Sequence, residues 1–230
     1  MPASLTERLD ADELMDDPAL DVATYHEVLD DLARVNRMTF AYRPTLAFLR
    51  RAVRGRGRLR VLDVGFGDGD MLRRIARWAA RHGIAAELSG VDLNPRSKTT
   101  AEAKPSPLPI RYFAGDYAEL AGEGFDCVIS SLVTHHMSHD QLVAFLRFME
   151  REAAAGWFVN DLHRHGFSYA AWPLLASAMG WHRIVRLDGH TSIARSFRPG
   201  EWKALLAREG LAEARVTRWF PFRLCVERYR

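Results

Sequence analysis

The residues best suited to binding a ligand form a short stretch in which an acidic residue precedes three alternating glycines. Asp63 ends an apolar run, Gly65, Gly67 and Gly69 follow it, and a helical pattern starts at Met71. This order predicts a strand, a tight turn and a helix, with the turn at the carboxyl end of a buried strand, where open α/β sheets bind ligands. Glycines suit that turn because they let the backbone curl sharply and approach a ligand closely.

The spacing and charge of this turn disfavour one class of ligand and favour another. A dinucleotide site has the pattern G-x-G-x-x-G, whereas here Gly69 comes two positions after Gly67 and Asp70 follows it. The carboxylates of Asp63, Asp68 and Asp70 would repel a pyrophosphate. The turn therefore favours a ligand that carries positive charge, such as the sulfonium and ammonium groups of S-adenosylmethionine.

Two more acidic residues follow predicted strands farther along the chain. Asp92 ends an apolar run and lies 23 residues after Gly69, close to the spacing expected of a carboxylate that accepts hydrogen bonds from ribose hydroxyls. Asp116 follows the predicted strand at 110–114. Either residue could instead be an ordinary cap or turn aspartate.

These segments, together with a fourth apolar run at 125–131, resemble the class I (Rossmann-like) S-adenosylmethionine-dependent methyltransferases over roughly residues 59–230. The resemblance implies S-adenosyl-L-methionine as cofactor and an α/β fold: a Rossmann-like, doubly wound, seven-stranded sheet with a terminal antiparallel hairpin and an N-terminal helical cap. It implies that the glycine-rich turn holds the methionine half of the cofactor, that Asp92 binds the ribose and that Asp116 binds the adenine amino group. The cofactor-binding residues that it implies are Asp63, Gly65, Gly67, Gly69, Asp92, Leu93, Asp116, Tyr117 and Ser131.

Histidines after the fourth and fifth predicted strands are the candidate catalytic residues. His135 and His136 should lie beside the transferred methyl group, and His163 and His165 should lie at the same edge of the sheet. A neutral imidazole there could take a proton from a phenol or enol, an effect typically worth about 10²- to 10⁴-fold in rate. Alternatively, these side chains order their loops by hydrogen bonds.

The nature of the acceptor must come from residues outside the cofactor motifs. Arg164 and Arg198 could bind an acceptor carboxylate bidentately, or anchor loops instead. The segments around them resemble those of bacterial methyltransferases that act on polyketide or quinone-like phenols. The Asn-Pro-Pro-Tyr and Pro-Cys signatures of base-modifying branches are missing. We therefore predict methyl transfer to an oxygen of a small, apolar, aromatic or polyketide-like molecule; the alternatives are a carbon- or RNA-directed methyltransferase and a non-catalytic cofactor-binding module.

Neither a metal centre nor a disulfide is predicted. Ser138 has the pattern of a helix N-cap, so His139 should point away from the preceding histidine pair. Cys127 and Cys225 both lie in apolar, strand-like surroundings, which favours buried free thiols.

Composition and charge limit the remaining classes. A chain of 230 residues with 48% hydrophobic content fits one domain, in which we distinguish an acidic segment and helical cap (1–54) from the cofactor-binding part (55–230). No apolar run is long enough to span a membrane and no signal-peptide pattern begins the chain, so we expect a cytoplasmic protein, with a homodimer left open. We do not expect nucleic-acid binding, because the arginines are scattered and not interleaved with aromatic residues.

Periodicity predicts the order of the elements. Two helices precede an alternation of strands and helices, which is typical of a parallel sheet. The predicted strands lie near 59–64, 87–92, 110–114, 125–131, 156–161, 214–220 and 223–230, and the predicted helices near 22–38, 44–53, 69–82, 139–153, 168–180 and 200–209.

Overall fold

The apolar runs of the sequence form one mixed sheet in the computed structural model, which describes residues 5–230. The strands are β1 (Arg58–Val64), β2 (Ala85–Asp92), β3 (Ile110–Ala114), β4 (Phe125–Ser131), β5 (Ala153–Leu162), β6 (Arg215–Trp219) and β7 (Arg223–Tyr229). Their order is β3-β2-β1-β4-β5-β7-β6, and β7 runs antiparallel to both of its neighbours, β5 and β6. Because β1 lies between β2 and β4, the chain turns to opposite sides at β1, and ligands bind at such switch points.

Helices cover both faces of this sheet. The α-helices of the described residues are α1 (Val22–Met38), α2 (Tyr42–Ala52), α3 (Asp70–Arg81), α4 (Pro95–Glu102), α5 (His139–Glu152), α6 (Gly166–Ala178), α7 (Arg183–Arg195) and α8 (Pro199–Arg208). Within residues 5–230, none of the helices combines the length and the apolarity needed to cross a membrane.

The core consists of two apolar layers, because successive side chains of a strand point to opposite faces of a sheet. Val61 of β1 packs into a layer with α2 and α3, whereas the adjacent Leu62 packs into a layer with α5 and α8. In the first layer the ring of Phe48 stacks on that of Phe158, with centroids 5.0 Å apart. The packing of these layers sets the positions of β1 and α3, and therefore the position of the glycine-rich turn between them.

A third apolar cluster joins α1 to α6 and α7. It includes Val28, Val35, Ala176, Trp181 and Val185, all of them buried. These three helices supply much of the wall that faces the carboxyl edge of the sheet.

The predicted fold class is confirmed, and each of the seven predicted strands is present. Ser138 caps α5 in a capping box with Gln141, as predicted. The sequence-based assignment missed α4 and α7. The pattern of α7 is weak because Gly189, Thr191 and Ser192, which are poor helix formers, lie within it.

The N-terminal part of the chain differs from the predicted cap in one respect. Helix α2 begins at Tyr42, two residues before Pro44, and it packs on the sheet through Phe48 and Leu49. Among the residues that the structure describes, the N-terminal segment that covers the carboxyl edge therefore consists of α1 and residues 5–21, while the division at residue 54 stays a prediction.

Candidate active site

The glycine-rich turn after β1 has a backbone that side chains would disturb. Gly65, Gly67 and Gly69 have φ angles of 75°, 57° and 76°, in the left-handed region that favours glycine. A Cβ on Gly65 would lie 2.2 Å from Val133, whereas a Cβ on Gly67 would meet only Leu29, at 3.9 Å. The space beside Gly67 belongs to a cavity of about 660 Å³ that this turn lines.

Asp63 presents an unpartnered buried carboxylate to this cavity. Its residue exposure is 1%, and neither oxygen has a hydrogen-bond partner among the described residues. Burial and the charges of Asp70 and Asp92 raise the pKa of Asp63 well above its usual range. A buried carboxylate without a partner is costly, so this position fits a ligand that brings a cation or hydrogen-bond donors.

Asp92 ends β2 and supports the turn directly. One carboxylate oxygen accepts a hydrogen bond from the Gly67 amide and the other from the Asn94 amide, each at 2.9 Å. Burial is the main cause that raises the pKa of Asp92. Because a carboxylate offers about four lone-pair sites, Asp92 can hold the turn and also accept bonds from a ligand in the cavity.

Most of the predicted cofactor residues come together around this cavity. Its lining includes Asp63, Gly65, Gly67, Asp92, Leu93, Tyr117 and Ser131. Gly69 caps α3 just outside the lining, with a Cβ position only 2.5 Å from the Tyr112 hydroxyl. Asp116 is exposed, and its carboxylate caps the following turn by accepting from the Ala118 amide at 2.8 Å. Contact between Asp116 and an adenine stays a prediction.

His135 is a buried histidine held between two carboxylates. Its Nδ1 lies 2.7 Å from Asp161 Oδ1, and its Nε2 lies 3.5 Å from Glu13 Oε1. Burial lowers the pKa of His135, but the charges of Asp161 and Glu13 and the hydrogen bond to Asp161 outweigh it and raise the pKa to about 9. The expected neutral imidazole is therefore corrected here: with these partners alone, His135 is protonated near neutral pH and cannot take a proton from an acceptor.

His136 is partly exposed and also lines the cavity. Its Nδ1 lies 3.0 Å from Asp16 Oδ2, and its Nε2 lies 3.8 Å from Glu13 Oε2. Glu13 itself is buried and accepts a hydrogen bond from the Ser192 hydroxyl at 2.8 Å. Glu13 and Asp16 were missed from the sequence, since only the general acidity of this segment sets them apart.

The second histidine pair divides between the cavity and the surface. His163 lines the cavity, and burial, followed by the charges of Arg218, His165 and Arg198, lowers its pKa to about 4. His163 is therefore neutral near pH 7. His165 is exposed, and its side chain caps α6 by accepting from the Phe167 amide.

The two arginines predicted to bind the acceptor both lie outside the cavity lining. Arg164 is buried, and its guanidinium donates to the carbonyls of Leu5, Thr6 and Ser196 and to the carboxylate of Glu201. It anchors the N-terminal segment and has no face on the cavity. Arg198 is exposed at the start of α8, also outside the cavity lining. The prediction that Arg164 binds an acceptor carboxylate is corrected accordingly, whereas that for Arg198 stays a prediction.

The part of the cavity away from the glycine-rich turn is apolar. Side chains from α1, α6, α7 and the turn before β7 line it, among them Leu32, Phe167, Trp172, Leu175, Val185, Ile193 and Phe222. The volume of the whole cavity, about 660 Å³, lies within the range of roughly 300–1,000 Å³ that small-molecule sites occupy. One continuous space therefore joins an acidic, glycine-rich end to an apolar end, with His135 and His136 on its wall.

This combination of a switch-point turn and a terminal antiparallel strand pair defines the class I methyltransferase fold. Residues 61–156 match the family described as "Methyltransferase domain", so this part of the chain is a methyltransferase domain and the class predicted from the sequence is confirmed. The protein is 35% identical over 79 residues to uncharacterized methyltransferases of Mycobacterium tuberculosis (strain ATCC 25618 / H37Rv) and Mycobacterium bovis (strain ATCC BAA-935 / AF2122/97). The matched region is 34% of this chain and 37% of the length of those relatives.

Solved structures share the fold at low sequence identity. The magnesium protoporphyrin IX methyltransferase of Synechocystis PCC 6803 with bound SAH aligns over 93% of this chain and 89% of its own, with a TM-score of 0.57 and 16% identity. A SAM-dependent methyltransferase from Aquifex aeolicus aligns over 90% and 97%, with a TM-score of 0.61 and 16% identity. A plantazolicin methyltransferase aligns over 85% and 70%, with a TM-score of 0.62 and 14% identity.

Proposed function

We propose that the protein transfers the methyl group of S-adenosyl-L-methionine to an oxygen of a small, apolar, aromatic or polyketide-like acceptor. The observation that carries this proposal is the unpartnered carboxylate of Asp63 at the glycine-rich end of a cavity whose other end is apolar. Structural neighbours bound to SAM or SAH support the choice of cofactor.

The acidic end of the cavity matches the charge of the methionine half of this cofactor. Asp63 would accept bonds from the α-ammonium group, and the bare backbone at Gly67 would lie against the ligand. Asp92 would accept from the ribose hydroxyls through its remaining lone pairs. When bound, the cofactor supplies an electrophilic methyl group on a sulfonium, so the protein has mainly to align an acceptor with it and to exclude water.

The opposite wall supports an apolar acceptor that carries a hydroxyl group. Phe167, Trp172 and Phe222 offer aromatic surface, and burying an apolar ring against them is favourable. The polar groups of the lining that could meet an acceptor oxygen include the cluster around His135 and His136 and the imidazole of His163. The arrangement favours an oxygen nucleophile over an aliphatic carbon, whose activation needs a stronger base than His163.

The test has a binding arm and a transfer arm. Calorimetry should detect SAH binding that NAD does not compete with, and a panel of phenols and polyketide-like hydroxyl compounds should yield a methyl ether. Identification of the product by NMR separates oxygen from carbon methylation. SAH binding without transfer to any acceptor would favour a non-catalytic cofactor-binding module, and transfer to RNA with a steep salt dependence would favour that branch.

Asp92→Ala should weaken SAH binding by about 10- to 100-fold, the loss expected when a charge-assisted hydrogen bond of about 1.5–3 kcal/mol is removed. Because Asp92 also accepts a hydrogen bond from the Gly67 amide, part of this loss arises because the glycine-rich turn is no longer held in place. Asp92→Asn keeps an acceptor for that amide and should lose less affinity. Calorimetry on both variants measures the difference.

The control for this measurement is Asp126→Ala. Asp126 likewise ties a backbone amide, that of Arg60 at 2.8 Å, but it lies outside the cavity lining. Its SAH affinity should match the wild type. Unchanged affinity in Asp92→Ala would remove Asp92 from the cofactor site.

A further inference from the structure

We propose that Glu13, His135 and His136 bind a divalent transition-metal cation on the wall of the cavity. One ligand atom from each side chain, two imidazole nitrogens and a carboxylate oxygen, can be chosen so that all three lie within 4.8 Å of one another. All three residues line the cavity, so the site is accessible to a bound acceptor. The proposal that the protein binds an ion is independent of the proposed function. Only the role of the ion in catalysis rests on the proposed function.

The orientation of the two histidines is the first observation. His135 turns its Nδ1 to Asp161 at 2.7 Å, and His136 turns its Nδ1 to Asp16 at 3.0 Å. Each ring therefore directs its Nε2 toward the same carboxylate, that of Glu13. In protein metal sites a ligating histidine almost always has its other nitrogen bound to a carboxylate, carbonyl or water, which fixes its tautomer; here both histidines have a carboxylate in that position.

The spacing of the three ligands is the second observation. The two Nε2 atoms lie 3.5 Å and 3.8 Å from oxygens of Glu13, longer than the roughly 2.7–3.2 Å of N–H···O hydrogen bonds. Ligands about 2.1 Å from a common ion lie roughly 3–4 Å apart. The gap between these atoms therefore has the size of a cation.

The cluster is held in place before any ion binds. The backbone carbonyl of His135 accepts hydrogen bonds from Arg8 and Arg195. Asp188 accepts from the Leu14 and Met15 amides at 2.9 Å, and these residues directly follow Glu13. A rigid ligand set of this kind loses little conformational entropy when it binds.

The local charge also favours a cation. The carboxylates of Glu13, Asp16 and Asp161 lie beside the histidines, and that of Asp188 holds the residues that follow Glu13; the guanidinium groups near these carboxylates include those of Arg8, Arg195 and Arg223. Two imidazoles and one carboxylate are the donor set of catalytic zinc sites and of non-haem iron sites. Such a set leaves coordination positions open toward the cavity.

Under the proposed function, the open positions would bind the hydroxyl oxygen of the acceptor. A divalent ion lowers the pKa of a bound oxygen, so the hydroxyl proton leaves to water before methyl transfer. The oxygen–carbon bond then forms as the sulfur–carbon bond breaks, and the sulfur keeps the bonding electron pair. This role needs no histidine base.

The experiment uses the full chain after removal of metals with EDTA, without cofactor. Titration with Zn²⁺ by calorimetry should show one tight site per chain, and Co²⁺ should give visible ligand-field bands at the same stoichiometry. Glu13→Gln and His136→Gln should each abolish this equimolar site. Asp16→Asn, which changes the partner of His136 only, should weaken it by about 10- to 100-fold.

The matched controls are His139→Gln and His165→Gln. Both are exposed histidines outside the cluster, and both variants should keep the site. SAH affinity and thermal unfolding of every variant are measured in parallel, so that a variant with a folding defect is recognised. If the ligand variants do not fold, the Zn²⁺ titration of the wild type alone decides whether the metal site exists. A wild type that binds SAH but neither ion overturns the metal site and leaves the proposed function standing. Equal ion binding by wild type, Glu13→Gln and His136→Gln shows adventitious binding and overturns it as well.

Discussion

Gly67→Val is expected to weaken binding of S-adenosylmethionine and SAH strongly while the protein still folds. Gly67 has a φ of 57°, and a Cβ there would meet no protein atom closer than Leu29 at 3.9 Å. The side chain would therefore occupy cavity space that the cofactor needs. We expect the affinity to fall by about 100-fold or more, which corresponds to roughly 2.7 kcal/mol of binding free energy. Calorimetry with SAH measures this directly.

Gly83→Val is the matched control for this variant. Gly83 has a φ of 64°, and a Cβ on it would meet nothing within 4 Å. A side chain in this left-handed conformation costs roughly 1–2 kcal/mol at either position, so the two variants should lose similar thermal stability. Only Gly67→Val should lose the cofactor; comparable SAH affinity in both would mean that the ligand does not lie on this turn.

The cofactor end of the site could be predicted because its signals are local. Gly65, Gly67 and Gly69 have positive φ angles, which favour glycine through local backbone geometry alone. Parallel strands bring Asp63 and Asp92 to one edge of the sheet. The acidic character of that edge followed from residue types alone. The unpartnered state of Asp63 could not be predicted, since it depends on everything that packs around it.

The acceptor end depends on contacts between distant parts of the chain. Glu13 lies in an acidic segment without helical or strand periodicity, and it meets His135 only because Asp188 and Ser192 of α7 hold that segment. Since α7 itself was missed, this contact could not be foreseen. The role of Arg164 was misassigned for the same reason, because the carbonyls that it binds come from the N-terminal segment.

Asp161→Ala is expected to have the largest effect on stability. Asp161 is buried, and its carboxylate accepts from the His135 ring, the Thr134 hydroxyl and the backbone amides of His135 and Leu162. Burial raises the pKa of Asp161, but His135 and these donors hold it well below its usual range. Removing one partner of a buried ion pair typically costs about 3–5 kcal/mol, because the other charge is left uncompensated. Urea unfolding in the presence of EDTA measures this loss without a contribution from bound metal.

Two comparisons identify the cause of that loss. Asp116→Ala removes a carboxylate that caps an exposed turn and should cost only about 1 kcal/mol. In the double variant Asp161→Ala/His135→Ala the uncompensated imidazolium is gone, so its destabilisation should be smaller than the sum of the two single effects. Strict additivity, or a loss for Asp161→Ala no larger than that for Asp116→Ala, would show that the two side chains do not form an ion pair in solution. His135 would then lack the partner that fixes its ring, and the direction of its Nε2 toward Glu13 would need another cause.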